Sequence, residues 1–92
     1  MKEKTFRIAR LLVHRSIMRW NAKNDSIHTS CSDLSFIIND SEKEIMIFPC
    51  GSKYMFNIDD LTKIAESLGA KYYIDVTKNL KNKPCACFVI YF

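Results

Sequence analysis

The sequence predicts an α+β fold. One two-layer domain spans residues 1–92, with elements in the order α-β-β-β-α-β-β and a mostly antiparallel sheet of about five strands covered by two helices. Three observations carry this expectation. Residues 3–21 lack Gly and Pro and repeat apolar side chains at helical spacing; the stretch Phe56–Thr77 joins a capped helix to a strand; and the closing CACFVIYF is apolar on both faces of an extended chain.

Taken in order, the first helix sets Phe6, Ala9, Val13, Ile17 and Trp20 on one narrow stripe, with Ser16 beside them, and this is the side expected to face the sheet. Residues 21–32, NAKNDSIHTSCS, are polar and read as the longest loop. Leu34, Phe36 and Ile38 then alternate as a strand, Asn39–Lys43 turns, and Ile45–Phe48 runs on to Pro49. PCGS is a turn, and Lys53–Phe56 makes a short third strand.

Local signals agree best in the next stretch. Asn57 is a suitable N-cap, Asp59 and Asp60 suit the positive end of the helix dipole, and Phe56 with Leu61 has the spacing of a hydrophobic staple. Gly69 can take the left-handed conformation that ends a helix, after which Tyr72, Ile74 and Val76 alternate with Tyr73, Asp75 and Thr77. A basic loop with Lys78, Lys81 and Lys83 leads into the last strand, whose two apolar faces suit a central position or an interface.

An apolar fraction of 48% with two Gly and two Pro argues for packed elements and against disorder. No apolar run approaches the roughly 18 residues of a membrane span, and arginines interrupt every apolar run near the N-terminus, so no membrane is expected. The expected location is cytoplasmic, where four cysteines remain reduced.

Charge is the strongest functional signal. Residues 1–23 carry seven cations against Glu3 alone, a local net charge of +6; the rest carries seven lysines against nine carboxylates, net −2. All four arginines, Arg7, Arg10, Arg15 and Arg19, lie on the first helix together with His14, interleaved with Ile8, Leu11 and Met18. Arginine forks beside exposed apolar side chains compose a partner surface; the plainer alternative packs Ile8, Leu11 and Met18 under loops.

Helix, three strands, helix is also the element order of the double-stranded-RNA-binding domain. Such domains place a lysine cluster at the start of the second helix, where this chain has Asp59 and Asp60, so that family is not assigned.

Catalysis is not expected. The chain has no nucleophile elbow, phosphate-cradling glycine loop or dinucleotide fingerprint, and nothing brings Cys31 or Cys50 to His14 or His28. His28 and Cys31 with Cys85 and Cys87 form a weak zinc set, since neither pair is a CxxC knuckle; no metal and no cofactor are expected. The reading that follows is a binding protein. Its partner-binding residues are Arg7, Arg10, His14, Arg15, Met18, Arg19, Lys78, Lys81 and Lys83, and its partner is an acidic macromolecule, either nucleic acid or a nucleoprotein complex. Stoichiometric inhibitors, including phage-type antagonists of host defence, have this size and character and need no active site. The alternatives are a protein-interaction module or homodimer built on the apolar C-terminal strand and, third, a small zinc or thiol protein.

Overall fold

The computed structural model describes residues 2–27, 31–50, 57–78, 82 and 84–92. Its elements are α1 (Lys2–Ile27), β1 (Leu34–Asn39), β2 (Glu44–Pro49), α2 (Ile58–Ser67), β3 (Lys71–Lys78) and β4 (Pro84–Tyr91). The strands form one antiparallel sheet in the order β1-β2-β4-β3. The α+β class therefore holds, with four strands among the described residues and not the five expected. The strand expected at Lys53–Phe56 and the staple residue Phe56 lie outside those residues.

Register divides the side chains between two faces, because paired residues share a face. Phe36 faces Ile47 and Ile47 faces Phe88, while Ile38, Ile45 and Ile90 form the neighbouring row. Onto these rows α1 lays Phe6, Ala9, Val13 and Ile17, and α2 lays Leu61 and Ala65; all six are buried. The predicted stripe of α1 is thus the stripe that packs, with Trp20 half-buried at its end. On the opposite, helix-free face lie Cys85, Cys87 and Val89 of β4 with Tyr73 and Asp75 of β3. β4 is an interior strand, between β2 and β3, one of the two settings its apolar faces suit.

α2 is bounded as its residues dictate. The Asn57 side chain accepts from the backbone N–H groups of Asp59 and Asp60, satisfying two donors that the first turn leaves free. At the other end Gly69 has φ +65°, its N–H donates to the Glu66 carbonyl and that of Ala70 to the Ala65 carbonyl, the paired bonds of a Schellman cap. A Cβ at position 69 would meet no atom within 4 Å, so the left-handed backbone is the reason for glycine there.

α1 corrects one expectation. The stretch from residue 21, read as loop, continues the helix to Ile27. Asparagine is a poor helix former in isolation, but here tertiary bonds outweigh propensity. The Asn21 side chain accepts from the Leu34 N–H at 2.8 Å and donates to the Leu34 carbonyl at 2.9 Å. Asn24 donates to the Asp33 carboxylate at 3.0 Å and to the Cys31 carbonyl at 3.2 Å. Both helical asparagines therefore hold the chain entering β1.

Further fastenings join the layers. The Trp20 indole N–H donates to the Asp60 carboxylate at 2.9 Å, tying α1 to α2. Near the other end of α1, Arg10 pairs with Asp40 at 2.8 Å and Lys43 with Glu3 at 3.2 Å, which anchors the β1–β2 turn. The latter bonds are partly exposed and modest in energy; they fix register more than they stabilise.

Asn21→Ala gives a test by sign. On a free helix surface alanine is the better helix former and the variant would gain stability. Loss of both Leu34 bonds should instead cost about 1–2 kcal/mol, read as a lower midpoint in urea unfolding.

Candidate interaction surface

The side of α1 opposite its buried stripe carries Lys4, Arg7, Ile8, Leu11, Arg15, Met18 and Arg19, every one of them exposed. Ile8 is 50%, Leu11 60% and Met18 50% exposed, so none of the three packs under a loop. They form a broken apolar spine along the outer face, with guanidinium groups on both flanks.

The sequence-predicted residues divide into sets. Arg10 and His14 lie on the flank toward β1: Arg10 is committed to Asp40, and the His14 ring tilts against Phe36 with centroids 5.6 Å apart. Arg7, Arg15 and Met18 point outward. Arg19 stands at the rim of a cleft of about 500 Å³ between the helices, with Trp20 and Lys23 on the α1 wall and Asn57, Asp60 and Ile64 on the α2 wall. Among the described residues, the ion pairs are Arg10–Asp40 and Lys43–Glu3, and Arg7, Arg15 and Arg19 take part in neither.

Lys78 is exposed at the end of β3, while Lys81 and Lys83 lie outside the described residues. α1 contacts β1 at one edge of the sheet and β3 forms the other edge, with α2 over β3 and β4. Lys78 and the α1 arginines therefore do not make one continuous patch. Tyr73 stands on the helix-free face, its ring against Tyr91 with centroids 5.6 Å apart and its hydroxyl bonded to Glu44.

The cysteines are free thiols and are sorted by position. Cys31 lines the cleft on the helix side of the sheet, whereas Cys85 and Cys87 project from the other face. Among the described residues no three His, Cys, Asp or Glu side chains gather as metal ligands; His28 lies outside them. Neither Cys50 nor Cys87 resembles an activated nucleophile. Partial burial, followed by the Asp33 carboxylate, pushes the Cys50 thiol up, and burial, followed by Cys85 and Asp75, pushes Cys87 up to about 11.

The Asp40 and Asp60 contacts were hidden in the sequence. Each joins residues 30 and 40 positions apart, respectively, and Asp60 has a sufficient local role in the first turn of α2. Comparison of the chain with family models, with curated proteins and with solved structures finds no match to any of them.

The Cys87 shift fixes a pH dependence. Its folded pKa lies above the ordinary value of 9.0, so folding favours the neutral thiol. That contribution is complete below pH 9.0 and is lost as pH rises through about 11. The thermal midpoint should fall across this interval, and less steeply in Cys87→Ala, as read by circular dichroism melts on both proteins.

Proposed function

We propose that the protein is a non-catalytic binding protein that docks the outer face of α1 on an acidic macromolecular surface. The observation that carries this reading is an exposed apolar spine of Ile8, Leu11 and Met18 flanked by Arg7, Arg15 and Arg19, none of them in an ion pair with a described residue. Arginine supplies planar donor forks to carboxylates or phosphates, and the spine supplies desolvated contact area of the sort found at interface hot spots. Bare nucleic acid rewards the cations but has less use for the spine. The combination favours the acidic surface of a protein in a nucleic-acid-handling complex, and a stoichiometric inhibitor of such a complex is one form the function takes.

The test combines two substitutions with two readouts. Arg7→Glu with Arg15→Glu should abolish binding and, because both residues are exposed and outside the ion pairs, change the unfolding free energy by no more than about 0.5 kcal/mol per site. Fluorescence anisotropy of short labelled DNA and RNA at two salt concentrations reads direct phosphate binding, which weakens steeply with salt. Capture of a protein partner, lost in Met18→Ala as well as in the charge reversal, reads protein docking. Nucleic-acid binding that Met18→Ala leaves unchanged would replace the protein partner with nucleic acid. A charge reversal that unfolds the chain would make α1 structural and remove the reading.

A further inference from the structure

The two edges of the sheet are finished differently. At the β1 edge, both backbone groups of Leu34 that point away from β2 are taken by the Asn21 side chain, and α1 packs against the strand. At the other edge no described strand lies beyond β3, and every residue from Lys71 to Lys78 except Thr77 is exposed. Tyr72, Ile74 and Val76 are exposed on the helix side, with Val76 at 71%, and Tyr73 is exposed on the other. Proteins ordinarily blunt such an edge with bulges, inward charges or a covering element, because unpaired backbone groups beside apolar side chains invite another strand.

The orientation of the backbone at this edge follows from one bond. The Val76 N–H donates to the neighbouring Asp75 carboxylate at 2.8 Å and is therefore directed off the ladder to β4. In an antiparallel strand successive residues turn their backbone groups to alternate sides, so Tyr72, Ile74 and Val76 offer N–H and C=O to the free edge.

We infer that β3 pairs antiparallel with β3 of a second copy of this chain, in a register centred on Tyr73. A two-fold axis normal to the sheet keeps each face continuous, so residues opposite one another must share a face. In the Tyr73-centred register Tyr72 meets the partner's Ile74 through their outward backbone groups, for about four backbone hydrogen bonds across the dyad. On the helix-free face Lys71 meets the partner's Asp75, while each Tyr73 ring leans inward over β4, onto Tyr91 and toward Glu44, and leaves the axis to the backbone. The arrangement is self-complementary: each copy supplies one cation and one carboxylate, so the Lys71–Asp75 pair forms twice.

Competing registers are poorer for reasons visible in the strand. Centring on Asp75 sets the two carboxylates against each other. Centring on Ile74 requires the Val76 N–H to leave Asp75 for a partner carbonyl and leaves Lys71 opposite Thr77. The Tyr73 register keeps the Val76–Asp75 bond, since Asp75 can accept from Val76 with one oxygen and from the partner's Lys71 with the other.

Light scattering over a concentration series measures the mass directly, and a charge swap tests the register. Asp75→Lys should raise the dimer dissociation constant about tenfold, by replacing two attractive pairs with two repulsive ones. Adding Lys71→Asp to the same chain should restore the dimer, an outcome that a merely local role for Asp75 does not produce. With Cys31 and Cys50 changed to Ser, Tyr73→Cys should oxidise to a covalent dimer faster than Ile74→Cys or Val76→Cys, since unbonded pairs bring Cα atoms to roughly 4.5 Å. A chain that stays monomeric at every concentration overturns the inference and leaves this edge to a strand from a different protein. A dimer indifferent to the swap, or cross-linked best at another position, overturns it too.

Discussion

The fold depends on one apolar layer between the two helices and a single face of the sheet. Phe6, Ala9, Val13 and Ile17 from α1 and Leu61 and Ala65 from α2 meet Ile45, Ile47, Phe88 and Ile90, and all of them are essentially withdrawn from water. Each fully buried large side chain contributes on the order of 1.5–3 kcal/mol against the entropy of ordering the chain. Among the described residues both helices lie on this one face, and the molecule is 17 Å through its thinnest extent. Polar fastenings such as Trp20–Asp60 and Arg10–Asp40 decide where the helices stop along the sheet; the apolar layer decides that they lie there at all.

A helix that buries one stripe is free to use the other for something else. α1 has 26 residues, about 39 Å at 1.5 Å per residue, which matches the longest extent of the molecule. Its outer face therefore runs the full length of the protein, with Ile8, Leu11 and Met18 left in water. Exposed apolar side chains are ordinary when scattered singly; three in file between arginines form a surface with a direction. The two sheet edges show a similar asymmetry: an asparagine of that same helix holds Leu34 at the start of β1, while no described strand lies beyond β3.

Much of this was legible from residue spacing, and the illegible parts share a cause. The stripe of α1, the caps of α2 at Asn57 and Gly69, and the interior place of β4 all follow from near neighbours in the chain, where period and capping chemistry act. The end of α1 did not, because Asn21 and Asn24 are poor helix formers whose compensating partners, Leu34 and Asp33, belong to another element. The exposure of Leu11 and Met18 was one of two open alternatives, since a helical wheel gives a direction and not what lies beyond it. Arg10 looked equivalent to Arg15 until Asp40, 30 residues away, took it up. The openness of the β3 edge had no local signal either: strand order decides which strand has a neighbour, and YYIDV suits an interior strand as well as an outer one.

The strand order has a consequence for how the chain comes into being. β4, the last of the described elements, is inserted between β2 and β3. During vectorial synthesis β1 and β2 can close as a hairpin and α2 can form, but the two halves of the sheet share no strand pairing until residues 84–91 have left the ribosome. Until then Ile45 and Ile47 on one side and the β3 edge on the other remain without their central neighbour. The incomplete sheet is thus the species most prone to aggregation, and closure of the fold is gated by the insertion of β4 between its two neighbours.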